Sequence, residues 1–467
     1  MSTRPASGLG VRAALAVTAT AIEKLVSLGI ALYLPRHLEL ADYGRYAFVM
    51  ACANFFQVLP DTALEAVLVA RIAGTDREPG RLAGQGATVR LVVALVGAAL
   101  TMAFLLATAR GRGMLPPAAI YALGLVLYAS NPYKVLLRGR LRMRRYLVLL
   151  TGQGVVAITL VALAILAGGG LVGVVGGLAT AALWGVVLGR LLAGRGARLG
   201  MDRPMARALF AGAWPLAGGS LVLAAAQQVL LVVLLRAHGE EAMAFFGGAT
   251  KIVEAVGLLP TAVMVTVLPA LSRAERATDG LATARAADAA KLLVVLLMPV
   301  CLLLVWWPAE VLRLGMGERL VPASGVLQVG AAFVLLGATG LVITNLLIAA
   351  GLQRPLFLTT ALGAVTMVVL GAVLVPAGGS VGAAAAVAVA MFVGQAALLL
   401  VPATRARVAA VLRAVVAPLA AGAVAVAAAA TVPVPPLAGV ALLAGVYLAG
   451  LLVTGTLGRA QLARWLH

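Results

Sequence analysis

Apolar stretches of about 20 residues, the length a helix needs to cross the hydrocarbon of a bilayer, follow one another along this 467-residue sequence. About fourteen are counted, at roughly 12–34, 43–70, 88–109, 116–137, 146–168, 171–193, 208–235, 243–271, 290–309, 323–350, 356–375, 381–402, 414–431 and 437–457. A soluble domain cannot hide so many: 63% of the residues are hydrophobic and only 11% charged, where soluble chains carry about a quarter charged. Backbone polar groups in lipid must be satisfied within their own segment, and the short alternating strands of a membrane barrel are missing from the pattern. The predicted fold is therefore an all-α polytopic membrane protein of about 14 transmembrane helices. The largest connectors, about 71–87 and 272–289, are polar and too short for a soluble domain, so function is expected in or at the membrane.

A formal charge of +20 would suggest nucleic acid in a soluble protein, but the basic residues here fall between apolar runs, a pattern that reports topology and predicts no nucleic-acid partner. With the N-terminus in the cytoplasm, 27 of the 36 basic residues lie on that side. Seven (Arg36, Arg45, Arg110, Arg112, Arg236, Arg313 and Arg319) lie opposite, and Lys24 and Lys251 lie within spans. The positive-inside rule then predicts a multi-pass protein of the bacterial cytoplasmic (inner) membrane with both termini cytoplasmic. Arg12 and the run after it imitate a secretory signal, but Glu23 and Lys24 interrupt that run, so an uncleaved first helix is expected. The basic stretch KVLLRGRLRMRR, Lys134 to Arg145, reads as a topology anchor with some affinity for anionic lipid.

Cys52 and Cys301 sit inside apolar runs and read as buried thiols. His37, His238 and His467 fall in loops or at the end of the sequence and suggest no metal site. No phosphate loop for ATP is found, and GGGLVG at Gly168 to Gly173 lacks the preceding strand that a dinucleotide site needs. No cofactor is expected.

Sliding the sequence by about 200 residues lays the second run on the eighth, so that Leu59-Pro60 meets Leu259-Pro260, Tyr46 meets Phe246 and Arg36 meets Arg236. Six spans per half preserve orientation, which makes this a parallel pseudo-repeat about an axis along the membrane normal. The expected domains are a six-helix bundle at 1–207, a second at 208–403, and two further C-terminal helices at 404–467. A central cavity between the bundles, lined by spans 1, 2, 7 and 8, is expected because these spans hold most of the intramembrane polar residues.

A charge near the bilayer centre costs about 2.5–3.5 kcal/mol even on the lenient insertion scale and needs a reason to be there. In the first span, Glu23 and Lys24 lie too deep to snorkel easily; each is expected to find a partner on another helix or to face the cavity. In the second, Asp61 and Glu65 share a helical face just after Pro60 and repel, as in a proton relay or cation site, with simple solvation of Glu65 as the alternative. In the eighth, Lys251 and Glu254 either pair locally or leave Lys251 to join Lys24 and Arg45 in a cationic patch for phosphate or pyrophosphate. The amides of Asn54, Gln57, Gln227, Gln228, Asn345 and Gln395 suit either a sugar or interhelical bonding. The candidate substrate contacts are thus Lys24, Lys251, Arg45, Asn54, Gln57, Gln227 and Gln228, and the candidate ion-coupling carboxylates are Glu23, Asp61, Glu65 and Glu254.

Three motifs carry a resemblance: Asp42, Tyr43, Gly44 and Tyr46 at the start of the second run, Phe246, Ala249, Lys251 and Glu254 in the eighth, and LPALSR at Leu268 to Arg273. With the span count, they make the chain similar to oligosaccharide flippases of the polysaccharide transport family, within the multidrug, oligosaccharidyl-lipid and polysaccharide (MOP) exporter superfamily. The resemblance implies two six-helix bundles around a V-shaped cavity, extra helices at the end, and movement of an undecaprenyl-pyrophosphate-linked oligosaccharide to the outer leaflet by alternating access. The implied partners are the lipid-linked oligosaccharide, membrane lipids, a polysaccharide polymerase and glycosyltransferases. An ion-coupled multidrug exporter or a lipid II flippase of the same superfamily is the alternative. A membrane glycosyltransferase would need a sizeable loop with paired acids, which the sequence lacks, so the protein is expected not to be an enzyme.

Overall fold

The computed structural model describes residues 7–58, 63–74, 78–107, 112–194, 197, 199–277, 280–431, 436–454 and 456. Its helices are α1 (Ser7–His37), α2 (Leu40–Val58), α3 (Leu64–Ala73), α4 (Pro79–Ala107), α5 (Leu115–Ala129), α6 (Pro132–Gly139), α7 (Met143–Leu166) and α8 (Gly170–Ala193). They continue with α9 (Arg203–Val256), α10 (Leu258–Ala277), α11 (Leu281–Trp306), α12 (Pro308–Met316), α13 (Ser324–Ala349), α14 (Gln353–Ala397), α15 (Pro402–Thr431) and α16 (Pro436–Val453). No strand occurs among the described residues, and the all-α polytopic reading holds. Among those residues, eight helices are long and apolar enough to cross a membrane. Two of the eight, Gly218–Met264 and Gln353–Ala397, each hold two of the predicted runs. Gly239 (φ 81°) and Gly379 (φ 53°) break the helical path between the runs, in a backbone region that favours glycine.

The fourth predicted run, 116–137, is not one helix. It ends at Ala129 and restarts as α6, because Asn131 takes an extended backbone and its Oδ1 accepts from the backbone N–H of Tyr133 (3.0 Å) and Lys134 (3.4 Å), with Pro132 at the first helical position. This is an N-cap followed by a proline that needs no amide partner. The eighth predicted run is interrupted at Gly257, between α9 and α10; the matching stretch of the second run, residues 59–62, lies outside the described residues.

The chain divides into two compact units, one of residues 1–231 with 239–244, the other of 232–238 with 245–467. In the first, α8 packs on α7 and α5, α1 on α7, and α2 on α4 and α5. Helices that share apolar surroundings gain little from the hydrophobic effect and associate by close packing of small residues. A Cβ on Gly124 would come 2.9 Å from the Ala179 Cα, and one on Gly177 would come 3.1 Å from the Leu160 carbonyl carbon. In the second unit, α11 packs on α13 and α15, α13 on α14, and α15 on α16. The last two helices, expected as an addition beyond two bundles, lie directly on α11, where a Cβ on Gly422 would come 2.5 Å from the Met298 sulfur. The His238 ring bonds the Val375 carbonyl at 2.9 Å, tying the residues before the Gly239 break to α14. Leu95, Val96, Leu163, Leu166, Val369 and Val373 are exposed, as expected of helix faces that meet lipid.

Candidate functional site

The first unit gathers charge at one carboxylate. Glu65 starts the first turn of α3 with its side chain 4% exposed, and its two oxygens meet three cations. Arg90 Nη2 of α4 lies 2.8 Å from Oε2, Lys134 Nζ 3.6 Å from Oε2, and Arg138 Nη1 3.1 Å from Oε1. Arg90 is fully buried, Lys134 7% exposed and Arg138 48% exposed at the side chain. Lys134 and Arg138 share one face of α6, four residues apart. The Asn131 cap sets where that helix begins, and Asn131 Nδ2 donates to the Gly185 carbonyl of α8 at 3.2 Å, fixing it laterally. Gly139 lets α6 approach α3: a Cβ there would meet Ile72 Cγ2 at 2.6 Å.

The cluster continues inward. Lys134 Nζ donates to Tyr128 Oη at 2.6 Å, and the Tyr128 hydroxyl donates to Glu23 Oε1. Glu23 and Tyr128 line a cavity of about 200 Å³ within the unit, with Tyr46, Tyr121 and Gln153 among the other walls. Buried charge is tolerated only when paired and hydrogen-bonded. Among the described residues one connected set, Glu23–Tyr128–Lys134–Glu65 with Arg90 and Arg138, carries two carboxylates against three cations.

A family model described as polysaccharide biosynthesis protein matches residues 12–275, more than half of the chain. The chain belongs to that family. No curated protein sequence matches it. Among solved structures, a lipid II flippase, MurJ, in an inward closed conformation matches with a TM-score of 0.71 at 12% identity, covering 94% of this chain and 98% of that one. A multidrug-resistance MATE family transporter of the MOP superfamily matches in its inward-facing conformation (TM-score 0.62, 17% identity, 84% and 96% covered). The outward-facing conformation of a MATE family transporter matches too (0.58, 15%, 86% and 95%). The protein is a multi-pass membrane protein of the polysaccharide biosynthesis family with the fold of MOP transporters.

In this family member, Glu23 and Glu65 are drawn into one network, whereas Lys24, the sequence neighbour of Glu23, is exposed and has no ion-pair partner among the described residues. Glu65 is met by cations, and Asp61, with which it was expected to share a face, lies outside the described residues. Lys251 pairs with Glu254 at 2.7 Å, the local i, i+3 alternative. Arg45 bonds Asp42 at 3.0 Å and lies 4.0 Å from Glu240. Gln57 Nε2 donates to the Ala94 carbonyl (3.1 Å), while its Oε1 is buried without a hydrogen-bond partner among the described residues. Gln228 Nε2 donates to the Ala51 carbonyl (2.8 Å) and its Oε1 accepts from the Cys52 thiol (3.4 Å), so both amides bond between helices. Gln227 and Asn54 are exposed, Tyr121 Oη lying 3.5 Å from Asn54 Oδ1.

Sequence reasoning passed over Arg90, Lys134, Arg138 and Tyr128. The first three were counted as loop charges that set topology, yet α4 begins at Pro79, so Arg90 lies three turns inside a helix rather than at its edge. The Asn131-Pro132 pair was the available signal that Lys134 begins a new helix instead of ending an old one.

Proposed function

We propose that the protein is a flippase that moves an undecaprenyl-pyrophosphate-linked oligosaccharide from the cytoplasmic to the outer leaflet of the bacterial cytoplasmic membrane by alternating access, with both termini inside. It would act between the glycosyltransferases that build the oligosaccharide and the polymerase that consumes it. The observation that carries this reading is membership of the polysaccharide biosynthesis family across residues 12–275. The residues of that segment add support: a pyrophosphate entering low dielectric needs a nearby positive charge, and Lys24 is an exposed cation on a predicted span. Lys24 and Lys251 are the proposed contacts for the pyrophosphate, the latter after its pair with Glu254 opens, with Arg45, Asn54, Gln57, Gln227 and Gln228 as further substrate contacts. Among Glu23, Asp61, Glu65 and Glu254, Glu23 is the favoured ion-coupling group because it lines the cavity and is hydrogen-bonded to a tyrosine.

The test reconstitutes the protein in vesicles with a labelled pyrophosphate-linked oligosaccharide and, separately, with a cationic dye. Translocation of the oligosaccharide is expected; transport of the dye alone would make the protein a multidrug exporter and end the proposal. Lys24→Gln and Lys251→Gln are then compared for folded protein in the membrane and for glycan export. Normal amounts with undiminished export overturn the phosphate role of the two lysines.

A further inference from the structure

Tyr128 and Lys134 are six residues apart, and on an unbroken helix they would stand about 9 Å apart along the axis and about 120° around it, on different faces. The Asn131 cap and Pro132 interrupt the helix between them. Lys134, in the first turn of α6, thereby comes back over the end of α5, its Nζ 2.6 Å from Tyr128 Oη and 3.8 Å from the centre of that ring. The Tyr128 hydroxyl meets Glu23 Oε1 of α1. Three helices thus supply one chain of polar groups, and chemistry fixes its direction. An ammonium only donates hydrogen bonds and an ionised carboxylate only accepts them, so the tyrosine hydroxyl between them accepts from Lys134 and donates to Glu23. Both bonds point from the lysine to the carboxylate.

The two ends of the chain differ. Glu23 opens on the cavity of about 200 Å³, which has room for several waters at about 30 Å³ each. Tyr46, 6% exposed, lines that cavity and its hydroxyl has no hydrogen-bond partner among the described residues. Ser27 and Gln153 add further polar groups to the walls. At the other end Lys134 Nζ lies 3.6 Å from Glu65 Oε2, and the same carboxylate is held by Arg90 and by Arg138, whose side chain is 48% exposed and borders solvent. Tyr146 of α7, buried, lies within reach of these charges. Of the cations around Glu65 that are described, the lysine is the one that can give up a proton, since a guanidinium stays charged in proteins.

We propose that Lys134 is the proton donor to Glu23, with Tyr128 as the bridge, so that the ion coupled to transport is a proton. The Lys134–Tyr128 separation is within the reach of about 2.6–3.2 Å at which a positioned side chain passes a proton. In the step a Lys134 N–H bond breaks as its proton joins Tyr128 Oη, and the tyrosine O–H bond breaks as its own proton joins Glu23 Oε1. An amine, an intact phenol and a carboxylic acid remain. The net charge is unchanged, and one cation and one carboxylate are replaced by neutral groups, which burial favours. Arg90 and Arg138 continue to hold Glu65. The amine regains its proton from the water that Arg138 borders, and the Glu23 acid releases its proton to the cavity. The proposal rests on the reading of Glu23 as the ion-coupling group and not on which lipid-linked sugar is moved.

The experiment is time-resolved infrared spectroscopy of the full-length protein in nanodiscs after a jump to lower pH. It follows the carboxyl C=O stretch that Glu23 gains on protonation, assigned by its loss in Glu23→Gln. Wild type is expected to develop the band. Lys134→Arg, which keeps a cation beside Glu65 but cannot release a proton, is expected to slow its rise at least tenfold and to leave its final height unchanged. A merely structural lysine would alter the height and not the rate. Tyr128→Phe, which removes the bridge, is expected to slow the rise comparably, and keeps the test valid if the arginine variant does not fold. Equal rates in wild type and both variants overturn the relay and leave the Glu23 reading standing. Absence of a Glu23 band from wild type at every pH overturns both.

Discussion

Two charged groups about 190 residues apart, Glu65 in α3 and the Lys251–Glu254 pair in α9, are neutralised in opposite ways. In the first unit Glu65, in the first turn of α3, meets cations from two other helices. In the second unit the 200-residue offset puts Val265 opposite Glu65 and Ala290 opposite Arg90. The deep charges there, Lys251 and Glu254, answer each other within one turn, with side chains 29% and 61% exposed, and α13 has no charged residue at all. The charge cluster of the first unit therefore has no counterpart at the offset positions of the second. Which neighbours a charged side chain meets is set locally, by how its helix packs.

The largest effect that could break this comparison is expected at Glu65. Glu65→Gln replaces a buried carboxylate that answers three cations with a neutral amide, and removing one partner of a buried pair costs about 3–5 kcal/mol. Thermal unfolding of the detergent-solubilised protein should show it as a drop of several degrees, and an unchanged transition would mean that the cluster is hydrated and its burial immaterial. A smaller loss is expected where backbone rather than charge closes the first unit. A Cβ on Gly44 would fall 1.8 Å from the Glu240 carbonyl oxygen, which cannot swing aside. Gly44→Ala should therefore destabilise by about 1–3 kcal/mol, the usual range for overpacking, and a neutral result would show that α2 slides freely past that segment.

A double-mutant cycle between Lys134→Met and Tyr128→Phe sharpens the comparison further. Groups in one hydrogen-bonded network couple by about 0.5–3 kcal/mol, so additivity within error would detach Glu23 and its cavity from the Glu65 cluster. The smallest effect belongs to the second unit. Glu254→Gln removes a partly exposed pair worth at most about 1 kcal/mol, so stability should hardly move, and a large loss would give the second unit a buried charge site after all.

Much of the fold was legible because the bilayer leaves the chain so little choice. Runs such as 146–168 and 171–193 became α7 and α8 within a few residues at each end, since length and apolarity alone decide such spans. The run at 116–137 was misread because hydropathy cannot see a cap: Asn131 and Pro132 end one helix and start another inside an unbroken apolar stretch. The site was legible only in part. Glu23 and Glu65 stood out as charges in spans, but their partners did not, because Lys134 and Arg138 resemble any topology-setting cations.

The sequence by itself determined that this chain is a bundle of membrane-crossing helices, because in lipid every backbone amide must bond within its own segment. Helical periodicity also said which residues share a face. Only the tertiary structure decided which faces meet: Glu65 finds Arg90 25 residues on and Arg138 73 residues on, while Lys24, adjacent to Glu23, has no ion-pair partner among the described residues. Spacing along one helix fixes angle and rise, but the neighbour a side chain reaches depends on how separate helices pack, and that is set by glycines, caps and breaks acting together across the whole unit.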